Sequence, residues 1–251
     1  MEQIFRNKVA LITGGARGIG RAIAKKLAAN GADIAVVYYN SSDAAAELIK
    51  EVAEMGRKAI ALQANVADES SVKAMQQEFL QHFPHVDFIV SNAASGVLKP
   101  ALAMSTKHFR WCMETNALAL HHLVRAFYEQ LRDGGRVLAL SSLGASRAIP
   151  NYSFIGASKA ALEALVRSLS LELALKNVSV NTISAGVVDT DALKYFPNRE
   201  QLLDEHQSRS LVSRTLLPDD VADAAYLLCL PEANMIRGQT IVVDAGYSII
   251  A

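Results

Sequence analysis

Tyr152 and Lys159 stand seven residues apart in the stretch NYSFIGASK, with the apolar Ile155 between them. On an α-helix at ~100° per residue, seven steps close to within ~20° of two full turns. A phenol and an ammonium group then project from one face, provided the helix already includes Tyr152. A weak acid held beside a cation can donate a hydrogen bond to oxygen as charge develops there. A second stretch, TGGARGIG, carries Gly14, Gly18 and Gly20. Such a turn lets the backbone approach a pyrophosphate, which then sits at the N-terminus of the next helix. The bland alternatives are a packing aromatic at 152 and an ordinary strand–helix turn at 14–20.

These groups need elements to position them. Short apolar runs alternate with longer helical patterns along the chain. Strands are predicted over 9–12, 34–38, 59–62, 88–91, 136–141, 178–183 and 240–243. Helices are predicted over 19–29, 43–55, 70–82, 106–132, 154–175 and 218–228. That alternation predicts an α/β fold: a doubly wound parallel sheet of about seven strands, Rossmann-like, with helices on both faces. Ligands then lie at the carboxyl ends of the strands. The glycine turn follows the first strand and opens the first helix, which favours the dinucleotide reading. The segment 189–213 is more polar, contains Pro197, and breaks the rhythm as a lid or substrate loop would.

Length and composition set bounds. A chain of 251 residues that is 51% hydrophobic and 20% charged fits one soluble domain, 1–251, with a substantial core. Lys plus Arg equals Asp plus Glu at 25 each, so no basic excess points to nucleic acid. No apolar run approaches the ~18 residues of a membrane span. Cys112 and Cys229 are isolated, as reduced thiols of a cytoplasmic protein would be. The histidines show no ligand spacing, and adjacent His121 and His122 point to different helix faces, so no metal is expected.

The spacing TGxxxGxG, followed by Asn65-Val66, SNAA (Ser91–Ala94), Asn116 in ETNALA, Ser141-Ser142, Lys159 in SKAAL and GQTIVVDAG, resembles the short-chain dehydrogenase/reductase family nearly end to end. The resemblance implies a nicotinamide cofactor. Gly14, Arg17, Gly18, Ile19 and Gly20 would hold its phosphates, and Asn65 with Val66 the adenine. Asn92 and Ala93 would line the nicotinamide ribose, and Gly186 and Val188 the carboxamide. An NAD-specific site wants a carboxylate at the end of strand two. Here Tyr38-Tyr39-Asn40-Ser41-Ser42 offers none before Asp43. A 2′-phosphate would meet no repulsion there, would find Asn40, Ser41 and helix amides, and could pair with Arg17, so NADPH is expected.

Most members of that family carry Tyr four residues before the lysine, which puts Ile155 in the tyrosine slot. Ser142 lies 13 residues before that slot, the family spacing, so the register holds. An isoleucine gives no proton, whereas Tyr152 faces the same way about 4.5 Å further along the axis. Reduction of a 2-enoyl thioester needs such a shift: hydride reaches C3 while charge gathers on the oxygen attached to C1. Y-x6-K is the spacing of enoyl-acyl-carrier-protein reductases. The chain is most similar to the enoyl reductase III type, through NAASGVLKP, SSLG, NYSFIGASKAALEAL, DTDALKYFPNRE and MIRGQTIVVD.

That resemblance implies reduction of trans-2-enoyl thioesters on acyl carrier protein, in fatty-acid or polyketide-type synthesis, by a homotetramer. Tyr152 would be the donor to the enolate oxygen and Lys159 the ribose ligand, with Ser142 in support and Asn116 organising a water or the backbone. Ser95, Ile155, Leu193 and Phe196 would meet substrate, with Tyr195, Leu202 and Leu203 in an apolar slot. Lys194, Arg199, Arg209 and Arg214 would attract an acidic carrier, unless they are simply solvated. Two other readings stay open: a 3-oxoacyl-thioester reductase, and a catalytically weak NADPH-binding scaffold.

Overall fold

The computed structural model describes residues 3–190, 193 and 199–250. Seven parallel strands form one sheet: β1 (Val9–Thr13), β2 (Asp33–Tyr38), β3 (Ala59–Gln63), β4 (Val86–Ser91), β5 (Leu131–Ser142), β6 (Ser179–Ala185) and β7 (Thr240–Val243). Their order is β3-β2-β1-β4-β5-β6-β7. Both faces are covered, which is why β1 and β4, apolar but for Thr13, Asp87 and Ser91, are buried at every residue. On one face Ile12, Ile34 and Val90 pack with residues of α1 (Gly18–Ala29), α2 (Ser42–Glu54) and α8 (Pro218–Cys229). On the other, Leu11, Val37 and Ile89 pack with α3 (Glu69–Leu80), α5 (Ala119–Phe127) and α6 (Ser153–Glu172).

The strand order reverses between β1 and β4, which pair directly through Ala10, Leu11 and Ile12. A crevice opens where chains leaving the two strand ends diverge to opposite sides. The glycine turn leaves β1 there, and Asn92 and Ala93 leave β4. β5, next to β4, delivers Ser141 and Ser142 to the same edge.

Two stretches depart from the sequence expectation. The single helix expected over 106–132 is three pieces, α4 (Thr106–Met113), a π-helical turn over Glu114–Leu118, and α5, and it stops at Phe127 because β5 already begins at Leu131. One inserted residue barely disturbs an apolar pattern, so periodicity does not reveal it. The turn carries the buried Asn116, whose amide does three things. Its oxygen accepts the Ser95 N–H at 2.8 Å, and its nitrogen donates to the Ser95 carbonyl at 2.9 Å and to Ser158 Oγ at 2.9 Å. The irregular segment 189–213 holds a helix of its own, α7 (Arg199–Arg209).

Asn116→Ala strands the buried polar groups of Ser95 that its amide satisfies, so unfolding free energy should fall by about 2–3 kcal/mol. Urea denaturation checks this; an unchanged midpoint would mean that water replaces the amide without loss.

Candidate active site

The glycine turn is shaped by close approach. Gly14 and Gly18 have φ of +62° and +54°, which favour glycine. A Cβ on Gly20 would lie 2.5 Å from both Asn92 Nδ2 and the Gly14 carbonyl oxygen. Asn92 is the brace of this turn: its Nδ2 donates to the carbonyls of Thr13 at 3.0 Å and Gly14 at 3.1 Å. The Thr13 hydroxyl accepts the backbone N–H groups of Asn92 and Ala93 at 3.0 and 3.1 Å. The Asn92 amide is thus spent on holding β1 against β4, while Ala93 presents backbone to the crevice.

Arg17 immediately precedes α1 and Ser41 immediately precedes α2. The Arg17 guanidinium donates to Ser41 Oγ at 2.6 Å, so a cation, a hydroxyl and two helix N-termini converge at the end of β2. Tyr39 and Asn40 are exposed beside them, and the first acid is Asp43 inside α2. Glycines without Cβ, free helix amides and this Arg17–Ser41 pair fit a dinucleotide carrying a 2′-phosphate. Asn65 turns its Oδ1 onto the N–H of Ala67 at 3.2 Å, and buried Val66 follows it. Ile19 is part-buried in the first turn of α1. At the end of β6, a Cβ on Gly186 would meet His206 Nε2 at 2.7 Å. Val188 bridges to Leu216, and Thr190 Cγ2 lies 3.4 Å from the Cβ position of Gly18, so the chain after β6 touches the glycine turn.

The chemical centre is registered by the last three residues of β5. The Leu140 carbonyl accepts a hydrogen bond from Lys159 Nζ at 2.7 Å. Ser141 Oγ donates to Glu163 Oε1 at 2.6 Å, and the Tyr152 hydroxyl donates to Ser142 Oγ at 3.2 Å. Tyr152 is not helical, which corrects the assumption behind the two-turn reckoning. It is the residue just before α6, with φ −113° and ψ 8°, and its carbonyl accepts the Gly156 N–H at 2.7 Å. Asn151, in the left-handed region at φ +61°, turns the chain into that position. The tyrosine ring lies over Gly144, where a Cβ would come within 2.6 Å of two ring carbons. Gly156 has a parallel reason: its Cβ would meet the Gly144 carbonyl oxygen at 2.6 Å.

Ile155, in the slot four residues before Lys159, is buried and packs on Gly96. A Cβ on Gly96 would lie 2.4 Å from Ile155 Cγ1 and 3.2 Å from Cys112 Sγ. The loop after β4 is thereby pinned at Ser95 by Asn116 and at Gly96 by Ile155. Burial pushes the Tyr152 phenol above its usual range, with the Ser142 hydrogen bond opposing. Burial pulls Lys159 from its ordinary 10.5 to about 8, with Glu163 opposing.

In the segment after β6, Leu193 is buried, whereas Lys194, Tyr195 and Phe196 lie outside the described residues. Leu202 and Leu203 are part-buried on α7. Arg199 pairs with Asp189 at 2.6 Å, Arg209 with Glu205 at 3.7 Å and Arg214 with Asp220 at 2.5 Å. Three of the four basic residues expected to attract an acidic carrier are therefore each matched by a carboxylate.

A family model described as enoyl-(acyl carrier protein) reductase matches residues 14–248. A short-chain dehydrogenase from Burkholderia cenocepacia J2315, solved in complex with NADP, superposes with a TM-score of 0.91 at 32% identity, covering 98% of this chain and 99% of that one. The chain belongs to the short-chain dehydrogenase/reductase family. It is an oxidoreductase by that membership. It is 35% identical to 1-cyclohexenylcarbonyl-CoA reductase of Streptomyces collinus, over 98% of this chain and 89% of the relative. It is 34% identical to the hydroxynaphthalene reductase-like protein Arp2 of Metarhizium guizhouense (strain ARSEF 977), over 95% of this chain and 94% of the relative. Among the described residues no helix is long and apolar enough to cross a membrane, and no cluster of metal-binding side chains occurs.

Sequence reasoning passed over Thr13, Gly144, Ser158 and Glu163. Two of them had a visible signal. Glu163 is one helical turn beyond Lys159, and Gly144 follows the serine pair.

Two outcomes follow from this geometry. Arg17→Ala should weaken binding of a 2′-phosphorylated dinucleotide roughly tenfold more than that of its unphosphorylated counterpart, measured by fluorescence titration; equal losses would place the phosphate elsewhere. Lys159 in the folded protein loses its proton near pH 8, whereas the unfolded chain keeps it to 10.5, so stability from this group rises across that window. Below it the buried ammonium is a cost. Lys159→Met should therefore raise the Tm of the ligand-free protein at pH 7, with the gap closing between about pH 8 and 10.5. A lower Tm at pH 7 would show that the bond to Leu140 outweighs that cost.

Proposed function

We propose that the protein is an NADPH-dependent reductase of the C2=C3 bond of trans-2-enoyl thioesters carried on acyl carrier protein. One observation carries this: the phenol that reaches the end of β5 is Tyr152, while the slot four residues before Lys159 is filled by Ile155 packed on Gly96. The cofactor, when bound, supplies a hydride to C3 of the substrate. Gly14, Gly18, Gly20 and the α1 N-terminus would hold its pyrophosphate, and Arg17 with Ser41 would hold the 2′-phosphate. Lys159, with one N–H committed to the Leu140 carbonyl, would donate to the ribose hydroxyls with the others. Tyr152 donates a hydrogen bond to the thioester oxygen as negative charge gathers there, an interaction that strengthens in the transition state. Its raised pKa keeps the phenol protonated. The enolate then takes a proton from solvent water at C2 to give the saturated thioester. Ser142 sets the direction of the hydroxyl, and Asn116 and Ile155 hold the loop carrying Ser95 beside the substrate.

The name of the Streptomyces relative supports a conjugated thioester as substrate. The description of the matched family model supports the carrier protein. Because the rim arginines are paired, carrier recognition is proposed to rest on the thioester arm more than on rim charge. Exposed apolar side chains on α4 and α6, among them Phe109, Trp111 and Leu171, support self-association, which is proposed to be a homotetramer. A carbonyl-reducing reading is favoured by the hydroxynaphthalene reductase-like relatives. It requires Tyr152, outside the helix, to reach an oxygen bonded to the hydride-accepting carbon.

NADPH oxidation with crotonyl thioester and with acetoacetyl thioester, each on carrier protein and on coenzyme A, separates these readings. Turnover of crotonyl thioester is expected; turnover of the acetoacetyl substrate alone would overturn the proposal. Tyr152→Phe should lower kcat on the enoyl substrate ~100-fold or more with NADPH affinity retained, as loss of an oxyanion donor does. Unchanged turnover would remove Tyr152 from the chemistry.

A further inference from the structure

Lys159 is buried at 5% exposure, and its ammonium group makes one hydrogen bond, to the Leu140 carbonyl. A buried cation held by a single neutral acceptor is costly and tends to shed its proton. The strand beneath it, Leu138–Ser142, bears no charged residue, and neither does β6. The π-helical turn contributes Glu114, which is exposed, and Tyr152 on the α6 approach and the buried Cys112 on α4 are neutral acids. The remaining candidate is Glu163, one helical turn beyond the lysine on the same face of α6. It is part-buried. It is also aimed: Ser141 Oγ donates to its Oε1 at 2.6 Å. On a solvated helix the order Lys then Glu at this spacing is the weaker orientation, so helix stability does not account for the pair.

We propose that Glu163, tethered by Ser141, is a positioning residue that keeps Lys159 an ammonium in its buried seat, so that the lysine meets the cofactor as a cation. The cofactor half of this statement rests on the proposed reductase function; the charge half does not. Adjacent residues of β5 then perform one task each: Leu140 seats the lysine, Ser141 aims its counter-charge, and Ser142 directs the tyrosine hydroxyl. The balance is consistent with the direction of the lysine's titration, which burial lowers and Glu163 opposes.

The test is a pH titration of the Lys159 side chain by NMR, in ligand-free protein labelled with carbon-13 at the lysine ε position, with Lys159→Arg assigning the signal. The parent midpoint near 8 should fall by roughly one pH unit in Glu163→Gln, as expected for loss of a charge one turn away. Ser141→Ala, which leaves the charge but frees its rotamer, should give a smaller fall, and Glu163→Asp should restore most of it. In parallel, NADPH affinity should match the parent at pH 6 in Glu163→Gln and begin to decline roughly one pH unit earlier on the alkaline side. An unmoved midpoint in Glu163→Gln, or an affinity loss equal at every pH, overturns the proposal. Should that variant not fold, an unmoved midpoint in Ser141→Ala overturns it. Failure of thioester turnover bears on the reductase function alone, because the titration needs neither substrate nor cofactor.

Discussion

The site depends on the register between the end of β5 and the start of α6. The last seven residues of β5, Arg136–Ser142, are fixed by parallel pairing to β6, and Arg136–Ala139 also to β4, so the positions of Leu140, Ser141 and Ser142 are set by the sheet. Each then makes one bond to the chain entering or forming α6. Everything else at the chemical centre serves that contact. Gly144 and Gly156 let the approach close, and Asn151 turns Tyr152 back toward the strand. A side chain at either glycine would push the tyrosine away from Ser142.

The nucleotide end is built by the same device at a different pair of strands. Thr13 and Asn92 tie the ends of β1 and β4 together and fold the glycine turn onto α1. The two ends communicate through the loop after β4. It begins at Asn92 on the cofactor side and is pinned by Asn116 and Ile155 at Ser95 and Gly96 on the substrate side. An isoleucine where an acid is customary thus has a structural task as well as a chemical consequence.

Much of this was legible in the sequence, for identifiable reasons. Doubly covered parallel strands are continuous apolar runs, and β7 falls where the pattern places it, at Thr240–Val243. The glycine turn was legible because close backbone approach admits glycine alone. The π-helical turn was not, because adding one residue to a helix leaves its apolar stripe nearly intact. Nor was α7, whose polar composition reads as loop. That Tyr152 precedes α6 depends on a left-handed asparagine, a conformation Asn tolerates but does not announce. The brace made by Asn92 and the tether of Glu163 are set by partners far apart in sequence, Thr13 and Ser141. Spacing within one motif cannot report them.

The central claim is that the tyrosine displaced from its customary slot matches a substrate whose charge develops away from the carbon that is reduced. Its most direct test is the fate of the transferred hydrogen, followed with NADPH deuterated at the nicotinamide C4 and a crotonyl thioester. The account predicts butyryl thioester with deuterium at C3. Deuterium found instead on the carbinol carbon of a 3-hydroxyacyl product from the β-keto thioester, with crotonyl thioester untouched, would contradict it.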